Sequence, residues 1–119
     1  MTMLYHNPRC SKSRETLALL EQRGVQATVV HYLETPPDAS TLRRLLELLG
    51  FDDPRQLMRR QEAEYAALGL DDPGLTHSRL VAAMVAHPHL IERPIVVRGE
   101  RAVLGRPPEN IHALFPTPS

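Results

Sequence analysis

A single cysteine, no tryptophan and a 4% share of aromatic residues leave this 119-residue chain short of the groups that most often cross-link a fold or stack on bases. One cysteine cannot close an internal disulfide, so the small oxidised scaffolds of secreted proteins are excluded and a reducing compartment is expected. Lys plus Arg and Asp plus Glu number 14 each, so the formal net charge is zero and no global field points to nucleic acid or an anionic membrane. No apolar run approaches the length of a membrane span, and the amino terminus has neither the basic nor the apolar region of a signal peptide. The expected setting is therefore cytoplasmic, with no membrane and no nucleic-acid partner. His31, His77, His87, His89 and His112 show neither His-Glu-x-x-His nor paired-cysteine spacing, so no metal site is expected.

Hydrophobic residues nevertheless make up 42% of the chain, and with so few aromatics they imply a core of Leu, Val, Ile and Ala. The length is that of one domain, residues 1–119, and neither an internal repeat nor a linker divides it. Thr2 to Tyr5 reads as a short buried strand. A helix follows from Ser11 or Lys12 to Arg23, with Leu17, Ala18, Leu19 and Leu20 starting its apolar pattern and Gly24 ending it. Ala27 to Tyr32 is β-rich and short enough for a central strand, which makes a right-handed βαβ unit.

The rigid stretch from Leu33 to Ser40 leads into a helix capped by Asp38 or Ser40, with Leu42, Leu45, Leu46 and Leu49 on one face. Asp52-Asp53-Pro54 starts a helical piece that holds Leu57 and Met58 and ends near Arg59-Arg60. Glu62 to Leu68 is weakly helical, with Tyr65, Glu62 and Glu64 expected on a solvated face. Thr76 caps a helix that presents Leu80, Val81, Met84 and Val85 and ends at His87-Pro88. Pro94 to Val97 and Ala102 to Leu104 are two strands joined by a tight turn at residues 98–101, and Pro107-Pro108 opens a last helix through Ile111 and Leu114. The tail, Pro116 to Ser119, is expected to fray. The order β-α-β, helices, β-β-α is the thioredoxin-like plan: an α/β fold on a mixed four-stranded sheet, with a helical insertion at about residues 38–89. Pro94 is either cis or trans.

The lone thiol sits where the first strand turns into the first helix, in Tyr5-His6-Asn7-Pro8-Arg9-Cys10-Ser11-Lys12-Ser13-Arg14. Asn7 and Pro8 favour a tight turn. The opening N–H groups of a helix lack intrahelical partners and carry partial positive charge, which favours a thiolate, as do nearby Arg9, Lys12 and Arg14. Cys10 is therefore a candidate nucleophile, the plainer alternative being a small buried hydrophobe. His6 either hydrogen-bonds into the cysteine loop or polarises the thiolate. Ser13 stands where a dithiol enzyme would carry its resolving cysteine, so an oxidised or adducted Cys10 requires an outside thiol such as glutathione, or a partner redoxin. Arg59, Arg93 and Arg106 stand at element junctions. Guanidinium forks match tetrahedral oxyanions, although surface salt-bridging is the plainer assignment for each.

Four stretches in order carry a family resemblance: Tyr5-His6-Asn7-Pro8-Arg9-Cys10, the run His31 to Pro37, Glu92-Arg93-Pro94-Ile95-Val96-Val97, and Gly105-Arg106-Pro107. Together they resemble the glutaredoxin-coupled arsenate reductases over nearly the whole chain, in particular the shorter branch, with Cys-Ser-Lys-Ser-Arg in place of the common Cys-Gly-Thr-Ser-Arg loop. The resemblance implies a thioredoxin-like fold and an enzyme of arsenic resistance that reduces arsenate to arsenite, with glutathione as co-substrate, glutaredoxin as partner and no bound cofactor. It implies Cys10 as nucleophile, His6 as the neighbour favouring its thiolate, Arg59, Arg93 and Arg106 as binders of arsenate or a related oxyanion, and Ser11, Lys12, Ser13 and Arg14 as the helix-start loop. Two other functions stay open. The chain is also similar to regulators that bind RNA polymerase, whose Cys-x-x-Cys switch Ser13 breaks, and a monothiol redoxin-like protein acting on glutathione mixed disulfides would use the same sulfur.

Overall fold

A computed structural model describes residues 1–115; the expected fraying of Pro116 to Ser119 lies outside the described residues. Contacts divide the chain into two compact units, Met1–Thr35 with the chain from Arg93 onward, and Pro36–Glu92.

The first unit is built on a mixed four-stranded sheet. Its strands are β1 (Thr2–His6), β2 (Thr28–His31), β3 (Ile95–Arg98) and β4 (Arg101–Leu104), in the order β2-β1-β3-β4. β1 pairs parallel with β2 and antiparallel with β3, and β3 pairs antiparallel with β4. Helix α1 (Ser11–Gln22) makes the crossover between the two parallel strands, and Gly24, at φ 73°, ends it in the left-handed region. This is the expected thioredoxin-like plan with one correction: β2 is an edge strand, not a central one, and none of its residues is fully buried. β-branched composition signals a strand that fits a pleated surface, not its place in the sheet.

Register explains the core. Leu4 lies opposite Val96, and Val96 opposite Val103, so one sheet face presents all three. Leu4 and Val96 are fully buried, and they pack with Leu20 of α1 and with Ile111 and Leu114 of a 3-10 helix, Pro108–Leu114. That last element was expected as a helix; its tighter winding follows from Pro107-Pro108 at its start and its short span. Phe115 then closes the core edge between two guanidinium groups, with Arg23 at 4.8 Å and Arg98 at 4.4 Å from its ring centre. The β3–β4 turn is shorter than expected. Arg98 and Arg101 belong to the strands and pair directly, leaving Gly99, at φ 61°, and Glu100 as the loop.

The second unit is helical: α2 (Ala39–Leu49), α3 (Ala63–Ala67) and α4 (His77–Ala86), with 3-10 turns at Pro54–Leu57 and Pro88–Leu90. Asp38 caps α2 by accepting from Thr41 N–H at 2.8 Å, and Thr76 caps α4 through Arg79 N–H. Leu42, Leu45, Leu46, Leu80, Val81 and Met84 are buried, whereas Val85 is exposed and Met58 leaves the helical path to bridge Ile91. The expected solvated face on α3 is also corrected. Tyr65 is 4% exposed and donates its hydroxyl to Asp71 at 2.6 Å, Glu62 pairs with Arg59, and Glu64 binds both His87 and His89. A tyrosine can be buried at little cost once its hydroxyl finds an acceptor, and Asp71 supplies one from the following break. Among the described residues no helix is long and apolar enough to cross a membrane.

Candidate active site

The end of β1 and the start of α1 set the geometry around the lone sulfur. Asn7 forms the turn, its side chain accepting from Arg9 N–H at 3.0 Å and its carbonyl from Cys10 N–H at 3.0 Å. Arg14 reaches back from α1 to Pro8 O at 2.8 Å. Cys10 is the N-cap residue in extended conformation, and its carbonyl accepts from Arg14 N–H to begin the helix.

Cys10 is 8% exposed. Burial acts against its ionisation, but the N–H of Ser13, the Arg93 guanidinium, the N–H of Lys12 and Arg106 together outweigh burial and hold the thiol below its ordinary pKa. The side chain makes no conventional cap bond, so this is the field of an open helix end acting on a thiolate. Arg106 Nη1 lies 3.8 Å from Cys10 Sγ and donates to Arg93 O at 3.3 Å. The structure thus brings Cys10, Lys12, Ser13, Arg93 and Arg106 together.

His6 and Ser13 are connected in a way that residue spacing did not reveal. Both are buried, His6 Nδ1 lies 2.6 Å from Ser13 Oγ, and that oxygen accepts from Asn7 N–H at 3.0 Å. Burial, then His31, then Arg14 push the His6 pKa down. A neutral imidazole accepting the Ser13 hydroxyl proton satisfies all three groups. Ser13 therefore does more than stand in for an absent cysteine: its hydroxyl ties the strand end and loop to the turn whose N–H groups face the sulfur. We expect Ser13→Ala to cost about 1–3 kcal/mol, by stranding two buried polar groups, and to raise the Cys10 thiol pKa. The pH profile of alkylation by iodoacetamide reads this, and an unmoved midpoint would show that the tie does not support the thiolate.

Arg106 is placed by close packing that a sequence pattern does not display. Gly105 is buried, and a Cβ there would sit 2.5 Å from Thr16 Oγ1 and 2.7 Å from Pro94 Cγ. Its N–H donates to Pro94 O at 2.9 Å, and Asn110 Nδ2 donates to Arg106 O at 3.1 Å. The Arg93-Pro94 and Arg106-Pro107 bonds are both cis. Gly105→Ala should destabilise the fold by about 1–3 kcal/mol through overpacking and displace Arg106 from the sulfur. Urea unfolding with thiol alkylation measures both effects; wild-type values would mean that the gap closes without strain. The available signal was a glycine directly before a candidate arginine.

Ser11, Arg9 and Arg14 are exposed on the loop and first turn. Arg59 belongs to the helical unit, where its guanidinium pairs with Glu62 Oε1 at 2.5 Å and its N–H donates to Leu90 O at 2.7 Å. It is half-buried, while neighbouring Arg60 is exposed. Among the described residues no group of three or more His, Cys, Asp or Glu side chains is arranged to hold a metal ion.

Comparison with known proteins is consistent across sequence and structure. The ArsC family model matches residues 5–114. An arsenate reductase of Neisseria meningitidis is 50% identical over 112 residues, which is 94% of this chain and 96% of its own. The Escherichia coli protein YfgD is 56% identical over 108 residues, 91% of each chain. The solved structure of an arsenate reductase from Vibrio cholerae superposes with a TM-score of 0.94 at 50% identity, covering 96% of this chain and 97% of that one.

Proposed function

The chain belongs to the ArsC family, and on that premise we propose that it reduces arsenate to arsenite with Cys10 as nucleophile and with glutathione and glutaredoxin supplying the electrons. The observation that carries the proposal is a thiol held below its ordinary pKa with the Arg106 guanidinium 3.8 Å from its sulfur and Arg93 acting on the same atom.

Cys10 thiolate attacks arsenic, an As–S bond forms, and one arsenate oxygen leaves as water after protonation. The guanidinium groups of Arg93 and Arg106 bind the oxyanion and balance the charge that gathers on its oxygens. Glutathione then adds its sulfur to arsenic with loss of a second water. Attack on that glutathione sulfur by a glutaredoxin thiol leaves the electron pair on arsenic, converting As(V) to As(III), and hydrolysis releases arsenite. Summed over the cycle, two thiols become one disulfide and arsenate loses one oxygen as water. Cys10 ends as a thiolate, which suits a chain with no second cysteine.

His6 serves through Ser13, keeping the loop in the shape that exposes Lys12 and Ser13 N–H to the sulfur. Arg59 is the third cation of the proposal and enters from the family resemblance alone. The test is NADPH oxidation coupled through glutathione reductase, with glutathione, glutaredoxin and arsenate present. Turnover that requires arsenate and both thiol components supports the reading; turnover on a glutathione mixed disulfide, unchanged when arsenate is omitted, replaces it with the monothiol redoxin alternative.

A further inference from the structure

Two groups that act on the Cys10 sulfur arrive from distant parts of the chain, the first turn of α1 and Arg106, and one side chain touches both segments. Thr16 of α1 is fully buried. Its hydroxyl donates to Lys12 O at 2.8 Å, and Gly105 O lies 3.5 Å from the same hydroxyl oxygen. A hydroxyl has one proton to give, so the shorter contact holds it. A β-branched residue is a poorer helix former than the Leu17 and Ala18 that follow, so helix propensity does not account for a threonine at this place.

We propose that Thr16 is a positioning residue for the Cys10 thiolate, its hydroxyl fixing and polarising the Lys12-Ser13 peptide whose N–H faces the sulfur. The role rests on Cys10 acting as a nucleophile, as in the function proposed above, and not on the identity of the substrate. Covalent geometry makes the connection. Lys12 C=O and Ser13 N–H belong to one planar trans peptide and point in opposite directions. A donor on the carbonyl therefore holds the direction of the N–H, and by drawing electron density toward the oxygen it leaves that N–H more positive. Against burial, the Ser13 N–H is the strongest of the influences favouring the thiolate, ahead of both Arg93 and Arg106.

Gly105 keeps the hydroxyl in that direction. A threonine side chain has few staggered positions open to it in a helix, and the space beside Gly105 is filled: a Cβ there would lie 2.5 Å from Thr16 Oγ1 and 3.2 Å from Thr16 Cγ2. Gly105 is itself held by its N–H on Pro94 O at 2.9 Å. Thr16 thus spans from the peptide that faces the sulfur to the residue before Arg106, whose Nη1 lies 3.8 Å from Sγ.

Thr16→Val replaces the hydroxyl with a methyl at nearly constant shape. The midpoint of the Cys10 alkylation profile should then rise by about 0.5–1 pH unit, which is what the net effect of one hydrogen bond amounts to, and the Lys12 carbonyl ¹³C resonance should move upfield. Thr16→Ser keeps the hydroxyl and loses the methyl, and should leave both readings near wild type. Thr16→Ala, which adds no bulk beside Gly105, gives the same two readings should Thr16→Val fail to fold, and circular dichroism reports on folding. A wild-type midpoint in the folded variant that lacks the hydroxyl, or a Thr16→Ser midpoint displaced just as far, would overturn the proposal and leave Thr16 a packing residue. Neither reading uses arsenate. A protein inactive on arsenate whose midpoint still rises without the hydroxyl would lose the reductase reading and keep the role of Thr16.

Discussion

Cys10→Ser is expected to bring arsenate-dependent glutathione oxidation down to background, a loss of roughly 10³-fold or more. The chain offers no other sulfur. A serine hydroxyl is almost wholly protonated at neutral pH, and the N–H groups and guanidinium forks that stabilise a thiolate are too weak to ionise it. The substitution is close to isosteric, so the folded structure should persist and the effect should be chemical. Its pH behaviour has a defined sign. Because the fold depresses the thiol pKa, the ionised sulfur contributes stability that is complete above the thiol pKa of the unfolded chain and is lost as pH falls through the lower folded value. The stability difference between wild type and Cys10→Ser should therefore grow as pH is raised across that window. Urea unfolding at a series of pH values measures it, and a pH-independent difference would contradict the depressed pKa.

Arg106→Ala is expected to lower kcat/KM for arsenate by about 10²–10³, with a smaller effect on the thiol. The influences on the sulfur separate the two roles. The Ser13 N–H and the Arg93 guanidinium favour the thiolate more than Arg106 does, so removing Arg106 should raise the thiol pKa only modestly. Its larger contribution is to the oxyanion, whose charge grows as sulfur attacks. Arg106 is exposed, so its loss should not endanger the fold. Arg106→Lys keeps the charge but loses the planar fork, and should fall between wild type and alanine. Steady-state kinetics in arsenate, beside the alkylation profile, separate the effects; equal losses in both would make Arg106 only a thiolate stabiliser.

Local features of the chain announced much of this. The turn formers Asn7 and Pro8, the basic helix start and the apolar pattern after it placed Cys10 at the strand-to-helix junction, where it lies. The hairpin and the helix stops at Gly24 and Gly50 were equally local, because a left-handed residue marks itself in the sequence. What did not show were contacts between distant segments. The edge position of β2 depends on which strands pair. The tie between His6, Asn7 and Ser13 depends on a side chain turning back from the helix to the strand end. Gly105 needs its missing Cβ only because Thr16 and Pro94 crowd it. Tyr65 sat in a polar window, and its burial became affordable only through Asp71. Spacing alone made Arg59, Arg93 and Arg106 equivalent, whereas the structure places the last two in the sulfur's surroundings and Arg59 in the helical unit beside Glu62.

The most direct test is a titration of thiolate absorbance near 240 nm. With one cysteine the step belongs to Cys10 without ambiguity, and burial raises the pKa of Tyr5 and, first among its causes, that of Tyr65, which keeps those phenols clear of it. The account predicts a midpoint below that of free cysteine, moving upward in Ser13→Ala. A midpoint at or above the free value in the wild-type protein would contradict it.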